Sequence, residues 1–183
     1  MAFLPSTASS ASLLEVFKTF PDAARPLIEY HEVLMRGPSP WSVAQRELIA
    51  AYVSGLNACA YCHGVHQATA EAFGVPEGLL AALLQDLDCA PVEESLRPVL
   101  HYVRKLTLTP DRIGQEDAGA VFAAGWDERA LHDAVCVCGL FNLMNRIVSG
   151  LGVGADHAYL QLAGQRLAQR GYAGLLEELP RPR

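Results

Sequence analysis

Between about residue 13 and residue 179, apolar residues recur almost everywhere at the three-to-four spacing of a helix, and no stretch alternates cleanly with the period of two that a half-buried strand needs. Val43 to Leu56 shows the pattern best, with apolar residues at 43, 44, 48, 49, 52, 53 and 56. Ser42 and Gln45 have the spacing of a capping box, and Trp41 stands where it can staple the entry turn. Asn57 suits the N-cap of a second helix that stops near Gly74, and Pro76 opens a third that reaches Gln85. Residues 93–106, 115–124, 128–139, 140–150, 155–170 and 172–179 keep the same period. The β-friendly run Leu106 to Thr109 is too short for a sheet. The spacing predicts an all-α fold of seven to nine helices in a single domain over residues 1–183. Residues 1–12 are expected to be a loose leader and 180–183 a frayed tail.

Apolar residues make up 51% of the 183 positions and charged ones 19%, enough for a buried core and too apolar for a disordered chain. Fourteen basic against twenty acidic side chains give a net charge of −6, which removes the electrostatic basis for general nucleic-acid binding. No apolar run approaches the roughly 18 to 20 residues of a membrane span. The first basic residue is Lys18, too late for a secretory signal, so a cytoplasmic protein is expected. In that compartment five cysteines, an odd count, do not make a disulfide framework.

The chemistry-bearing segment is Cys59-Ala60-Tyr61-Cys62-His63-Gly64-Val65-His66, at the start of the second expected helix. On a helix Cys62 lies about 60° around from Cys59, and His66 about 20° from Cys59, so the three share a face. A thiol of pKa about 8.5 is only about 3% ionised at neutral pH, and lowering it by two units takes about 2.7 kcal/mol. A helix N-terminus supplies roughly 0.3 to 1 kcal/mol, so a nearby base is needed as well. His66, one turn beyond Cys62, fits that role. Glu47 lies on the preceding helix, about 12 Å from the Gly55-Leu56-Asn57 corner, and His66 lies about as far along the other arm. If the two helices pack antiparallel, the pair can meet as a carboxylate–histidine–cysteine relay.

Glu47, Cys59, Cys62 and His66 together form the pattern E-x11-C-x-x-C-x3-H, which resembles that of the AhpD-like alkylhydroperoxidases of the carboxymuconolactone decarboxylase superfamily. Arg36-Gly37-Pro38-Ser39-Pro40 and Phe141-Asn142-Leu143-Met144-Asn145-Arg146 extend the likeness towards the branch called peroxidase-related enzymes. The resemblance covers about residues 13 to 155. It implies an AhpD-like helical bundle, a homotrimer or homohexamer, and reduction of organic or hydrogen peroxides through a dithiol–disulfide cycle. It places peroxide attack on Cys62, resolution on Cys59, and proton transfer on His66 and Glu47. No metal or bound cofactor is implied, but an external thiol reductant is, a lipoyl-bearing or thioredoxin-like protein. Some members carry a histidine just before the second cysteine, where this chain has Tyr61.

Blander readings exist for each of these residues. Cys59 and Cys62 could be a structural zinc half-site or inert core thiols, although Cys136 and Cys138 point about 160° apart on a helix and cannot supply the other half. Those two read as small core residues, and Cys89 as incidental. His63 points away from Cys62, while His31, His101, His132 and His157 have no evident partner. Asn142, Asn145 and Arg146 share a helix face and suit capping, pairing or an interface better than catalysis. The alternative activities are a general thiol–disulfide oxidoreductase and a decarboxylase of muconolactone type, the cysteine pair counting against the second.

Overall fold

In the computed structural model, which describes residues 2–8 and 11–180, helix α3 (Val43–Leu56) is the axis of the molecule. All nine residues from Arg46 to Ser54 are buried, so α3 has no solvent face, and other helices must surround it. Its start is the expected capping box, with the Ser42 hydroxyl accepting from the Gln45 N–H and the Gln45 side chain accepting from the Ser42 N–H. Trp41 does more than staple the turn. It is fully buried, donates through Nε1 to the Ala130 carbonyl at 2.7 Å, and stacks on Trp126 at 3.8 Å.

Around α3 lie α1 (Leu13–Thr19), α2 (Pro21–Arg36), α4 (Ala60–Ala72), α5 (Leu79–Gln85), α6 (Arg97–Leu108), α7 (Gln115–Ala123), α8 (Glu128–Gly150), α9 (His157–Arg170) and α10 (Ala173–Glu178). A single 3-10 turn, Pro110–Arg112, follows α6. The fold is all-α, as the periodicity requires, with ten α-helices among the described residues rather than seven to nine. The added helices are α1 and α2. Ser12 and Glu15 cap α1 with a capping box, Ala11 is buried, and the Phe3 N–H bonds the Leu151 carbonyl. Residues 1, 9, 10 and 181–183 of the expected leader and tail lie outside the described residues.

Three expected boundaries differ for local reasons. The segments 128–139 and 140–150 form one 23-residue helix, because Gly139 costs helix propensity without breaking the hydrogen-bond ladder. Helix α5 begins at Leu79 instead of Pro76, after Gly78 takes a left-handed turn at φ 81°. Asn57 ends α3, with its N–H still bonded to the Val53 carbonyl, and does not start the next helix. Ala58 then reverses the chain at φ 54°, a conformation rare for a residue with a Cβ, and Cys59 becomes the N-cap of α4.

Helix α4 is held between α3 and α9, and its contact with α9 is backbone-close at Gly164. A Cβ there would sit 2.5 Å from the Ala68 Cβ and 2.7 Å from the Val65 carbonyl oxygen. Gly164→Ala should therefore force α9 off α4 and cost about 1–3 kcal/mol. Denaturant unfolding measures this, and an unchanged midpoint would contradict the close approach.

Candidate active site

The site is built at the α3–α4 hairpin and closed by α2, α8 and α9. Glu47, on the buried axis, has no exposed surface. Its Oε2 meets His66 Nδ1 at 2.6 Å and its Oε1 accepts from Arg36 Nη1, also at 2.6 Å. Burial alone would raise this carboxyl. The charges and hydrogen bonds of His66 and Arg36 outweigh it and hold Glu47 below the usual carboxylate range. An ionised carboxylate only accepts, so His66 Nδ1 carries the donated proton and Nε2 is the nitrogen left for other chemistry. Phe141 of α8 packs edge-on against the imidazole at 4.4 Å and fixes its plane.

Arg36 was not singled out by the spacing argument. It closes α2, and Gly37 turns the chain away directly after it. The guanidinium lies over the rings of Phe73 at 5.4 Å and Tyr172 at 5.0 Å, and also reaches the Leu167 carbonyl. Without it the buried Glu47 carboxylate would keep a single donor, His66 Nδ1.

Cys59 and Cys62 are both buried and both free thiols. Cys62 lines a cavity of about 130 Å³ together with His66, Tyr61, Phe141, Tyr159 and Tyr172, whereas Cys59 lies behind its wall. The Cys59 thiol is lowered to about 6, first by the hydrogen bond its sulfur receives from the Cys62 thiol. Burial opposes the shift, while Ser149 and Asn145 of α8 help it. The Cys62 backbone N–H lowers the Cys59 thiol too, by more than Ser149 or Asn145 does. Cys62 is raised by the same hydrogen bond, then by burial and by the neighbouring Cys59 charge. Of the pair, Cys59 is thus the thiol favoured to ionise first.

Asn145 is held for this work by a polar chain. Its Nδ2 donates to Ser54 Oγ at 3.0 Å, and its Oδ1 accepts from Asn57 Nδ2 at 2.9 Å. Asn57 also reaches Asn142 Oδ1 at 3.1 Å, so the turn before the cysteines is tied to α8. The sequence clue was the shared face of Asn142 and Asn145, but nothing in it pointed to a partner.

The remaining candidates sit elsewhere. His63 bonds the Ala51 carbonyl at 2.9 Å, turned under the corner. Tyr61 lies against Tyr159 at 6.2 Å, and burial, then Tyr159, push its phenol up. Cys138 is buried beside Thr107, Cys136 is half-buried near His132, and Cys89 is exposed. His31 is buried and lowered to about 4, chiefly by burial, with Nδ1 bonded to the Leu27 carbonyl. Among the described residues, no three His, Cys, Asp or Glu side chains are gathered to hold a metal ion.

Residues 21–93 match the model of the carboxymuconolactone decarboxylase family. An uncharacterized peroxidase-related protein from Silicibacter sp. TM1040 superposes with a TM-score of 0.75 at 26% identity, over 81% of this chain and 78% of that one. A second structure, described as an alkylhydroperoxidase AhpD core and an uncharacterized peroxidase-related protein from Ralstonia eutropha JMP134, also has a TM-score of 0.75. It covers 90% of this chain and 96% of its own, and at 21% identity it speaks for the fold alone. No curated protein matches the chain significantly.

A titration checks the division of charge between the sulfurs. The ultraviolet absorbance of thiolate should rise through a midpoint of about 6, vanish from that range in Cys59→Ser, and move upward in Asn145→Ala. Below that midpoint the pair is fully protonated, and above it one thiolate is present. A first ionisation at the ordinary thiol value would contradict the assignment.

Proposed function

We propose that the chain is a thiol-dependent peroxidase of the AhpD-like carboxymuconolactone decarboxylase superfamily, a reading supported by the family match over residues 21–93 and by the likeness to the peroxidase-related structures. Its substrates in this reading are organic or hydrogen peroxides, reduced through a dithiol–disulfide cycle. The observation that carries it is the 2.6 Å bond between Glu47 and His66, with His66 and Cys62 in the wall of one cavity.

In the resting pair the Cys62 thiol donates to the Cys59 thiolate. Passing that proton to Cys59 turns Cys62 into the thiolate without creating a dianion. The Cys62 sulfur attacks the terminal oxygen of the peroxide, forming an S–O bond as the O–O bond breaks. The departing alkoxide or hydroxide takes a proton delivered through His66, whose ring Glu47 holds at Nδ1. Cys59 then attacks the sulfenic acid on Cys62, losing its proton, and water leaves as the disulfide closes. Overall, the mono-anionic pair, one peroxide and one proton give a disulfide, an alcohol or water, and a further water. Cys62 and Cys59 are thus the attacking and resolving thiols, and Glu47 and His66 the proton relay.

The disulfide is returned to dithiol by an external reductant, a lipoyl-bearing or thioredoxin-like protein. No metal or bound cofactor enters the cycle. The protein works in this reading as a cytoplasmic homotrimer or homohexamer. Among the described residues, no helix is long and apolar enough to cross a membrane.

One observation favours a second reading, a general thiol–disulfide oxidoreductase. A buried pair with one thiol lowered to about 6 and its partner raised is also suited to disulfide exchange. Thiol counting by mass separates the two. One equivalent of peroxide should consume both thiols of the reduced protein faster than a model disulfide does, and Cys59→Ser should trap a sulfenic acid on Cys62. Faster reaction with the disulfide, and no oxidised Cys62 in Cys59→Ser, would favour the oxidoreductase.

A further inference from the structure

We propose that the Tyr172 hydroxyl is a substrate-binding group of this cavity, donating a hydrogen bond to the departing oxygen of a bound hydroperoxide. The inference rests on the peroxidase reading above and adds a residue from the α9–α10 corner.

Tyr172 is placed there by the chain itself. Gly171 turns at φ 62°, and the backbone N–H groups of Tyr172 and Ala173 both bond Glu32 Oε2, at 2.8 and 2.9 Å, which pins the corner to α2. The ring is buried, stands 5.0 Å from the His31 ring, and has the Arg36 guanidinium 5.0 Å above it. Neither neighbour uses the hydroxyl. The Tyr172 oxygen is buried and has no hydrogen-bond partner among the described residues. Of the four buried side-chain atoms in that condition, only this one belongs to a residue lining the cavity with Cys62 and His66.

The other buried polar groups at the site are satisfied. Glu47 has Arg36 and His66, His31 has the Leu27 carbonyl, and Asn145 has Ser54 and Asn57. A buried hydroxyl left without a partner is costly, and such groups persist where a ligand or a function uses them. Burial, and then the nearby Glu47 charge, push the phenol well above its ordinary value, so it stays a donor across the working pH range. As the Cys62 sulfur bonds the terminal oxygen, negative charge grows on the oxygen that departs. An O–H that bonds that oxygen stabilises the transition state more than the neutral peroxide. Tyr172 keeps its own proton throughout; the proton that completes the alcohol comes through His66.

Tyr172→Phe tests this, because the ring, its packing and its contact with Arg36 survive while only the hydroxyl goes. With tert-butyl hydroperoxide as probe, the second-order rate of thiol oxidation should fall about 10- to 100-fold. Reaction of the same reduced thiols with an aromatic disulfide should be unchanged, since no alkoxide develops there. The melting temperature should stay level or rise, because an unpartnered buried polar atom has been removed. A peroxide rate within about twofold of the parent overturns the proposal, and so does a lower melting temperature with both reactions slowed alike, which marks a structural role. A parent protein that reacts with the disulfide and not with peroxide overturns the peroxidase reading and this inference with it.

Discussion

The arrangement depends on one carboxylate held at the centre of the molecule. Glu47 lies on a helix with no solvent face, where an ion is tolerated only if both oxygens are engaged. Arg36 and His66 engage one oxygen each, which fixes the end of α2, the rotation of α4 and the tautomer of the imidazole at once. A buried ion pair is poor evidence for stability, since well-packed apolar side chains often serve as well or better. Its value here lies in orientation. With Nδ1 committed to Glu47, Nε2 is the ring nitrogen left free.

A second constraint operates at the neighbouring turn. The chain reverses at Ala58 with a positive φ, so Cys59 becomes an N-cap and Cys62 enters the first turn of α4. The two sulfurs therefore differ from the outset. Cys59 is lowered first by the hydrogen bond from Cys62 and then helped by Ser149 and Asn145 of α8, while Cys62 lines the cavity and is raised. Asn142, Asn145 and Ser149 share one face of α8, giving the turn a continuous polar backing. A polar network of this kind holds when every member is satisfied, and Asn57, Asn145 and Ser54 are.

The periodicity of the sequence contained the helical class and most of the helices, and the meeting of Glu47 with His66 followed from a hairpin argument. The corner lies at residues 57–59, later than the spacing suggests, and Glu47 and His66 still face each other across the helix pair. Arg36, Asn145 and Tyr172 were harder to find for a shared reason. Each acts across a contact between different helices, and periodicity along one helix does not show which side chains meet across it. The status of Cys59 as a cap was hidden for a different reason. It depends on Ala58 adopting a backbone conformation that alanine seldom takes, which no propensity would suggest.

The central claim is that Glu47 and His66 act on the cysteines as one proton path. A double-mutant cycle tests it most directly, using the rate at which peroxide oxidises the reduced thiols in the parent, Glu47→Gln, His66→Asn and the combined variant. A single path predicts that each change slows oxidation and that the double variant is no slower than the slower single one. Losses that multiply, or single variants that oxidise at the parent rate, would contradict it.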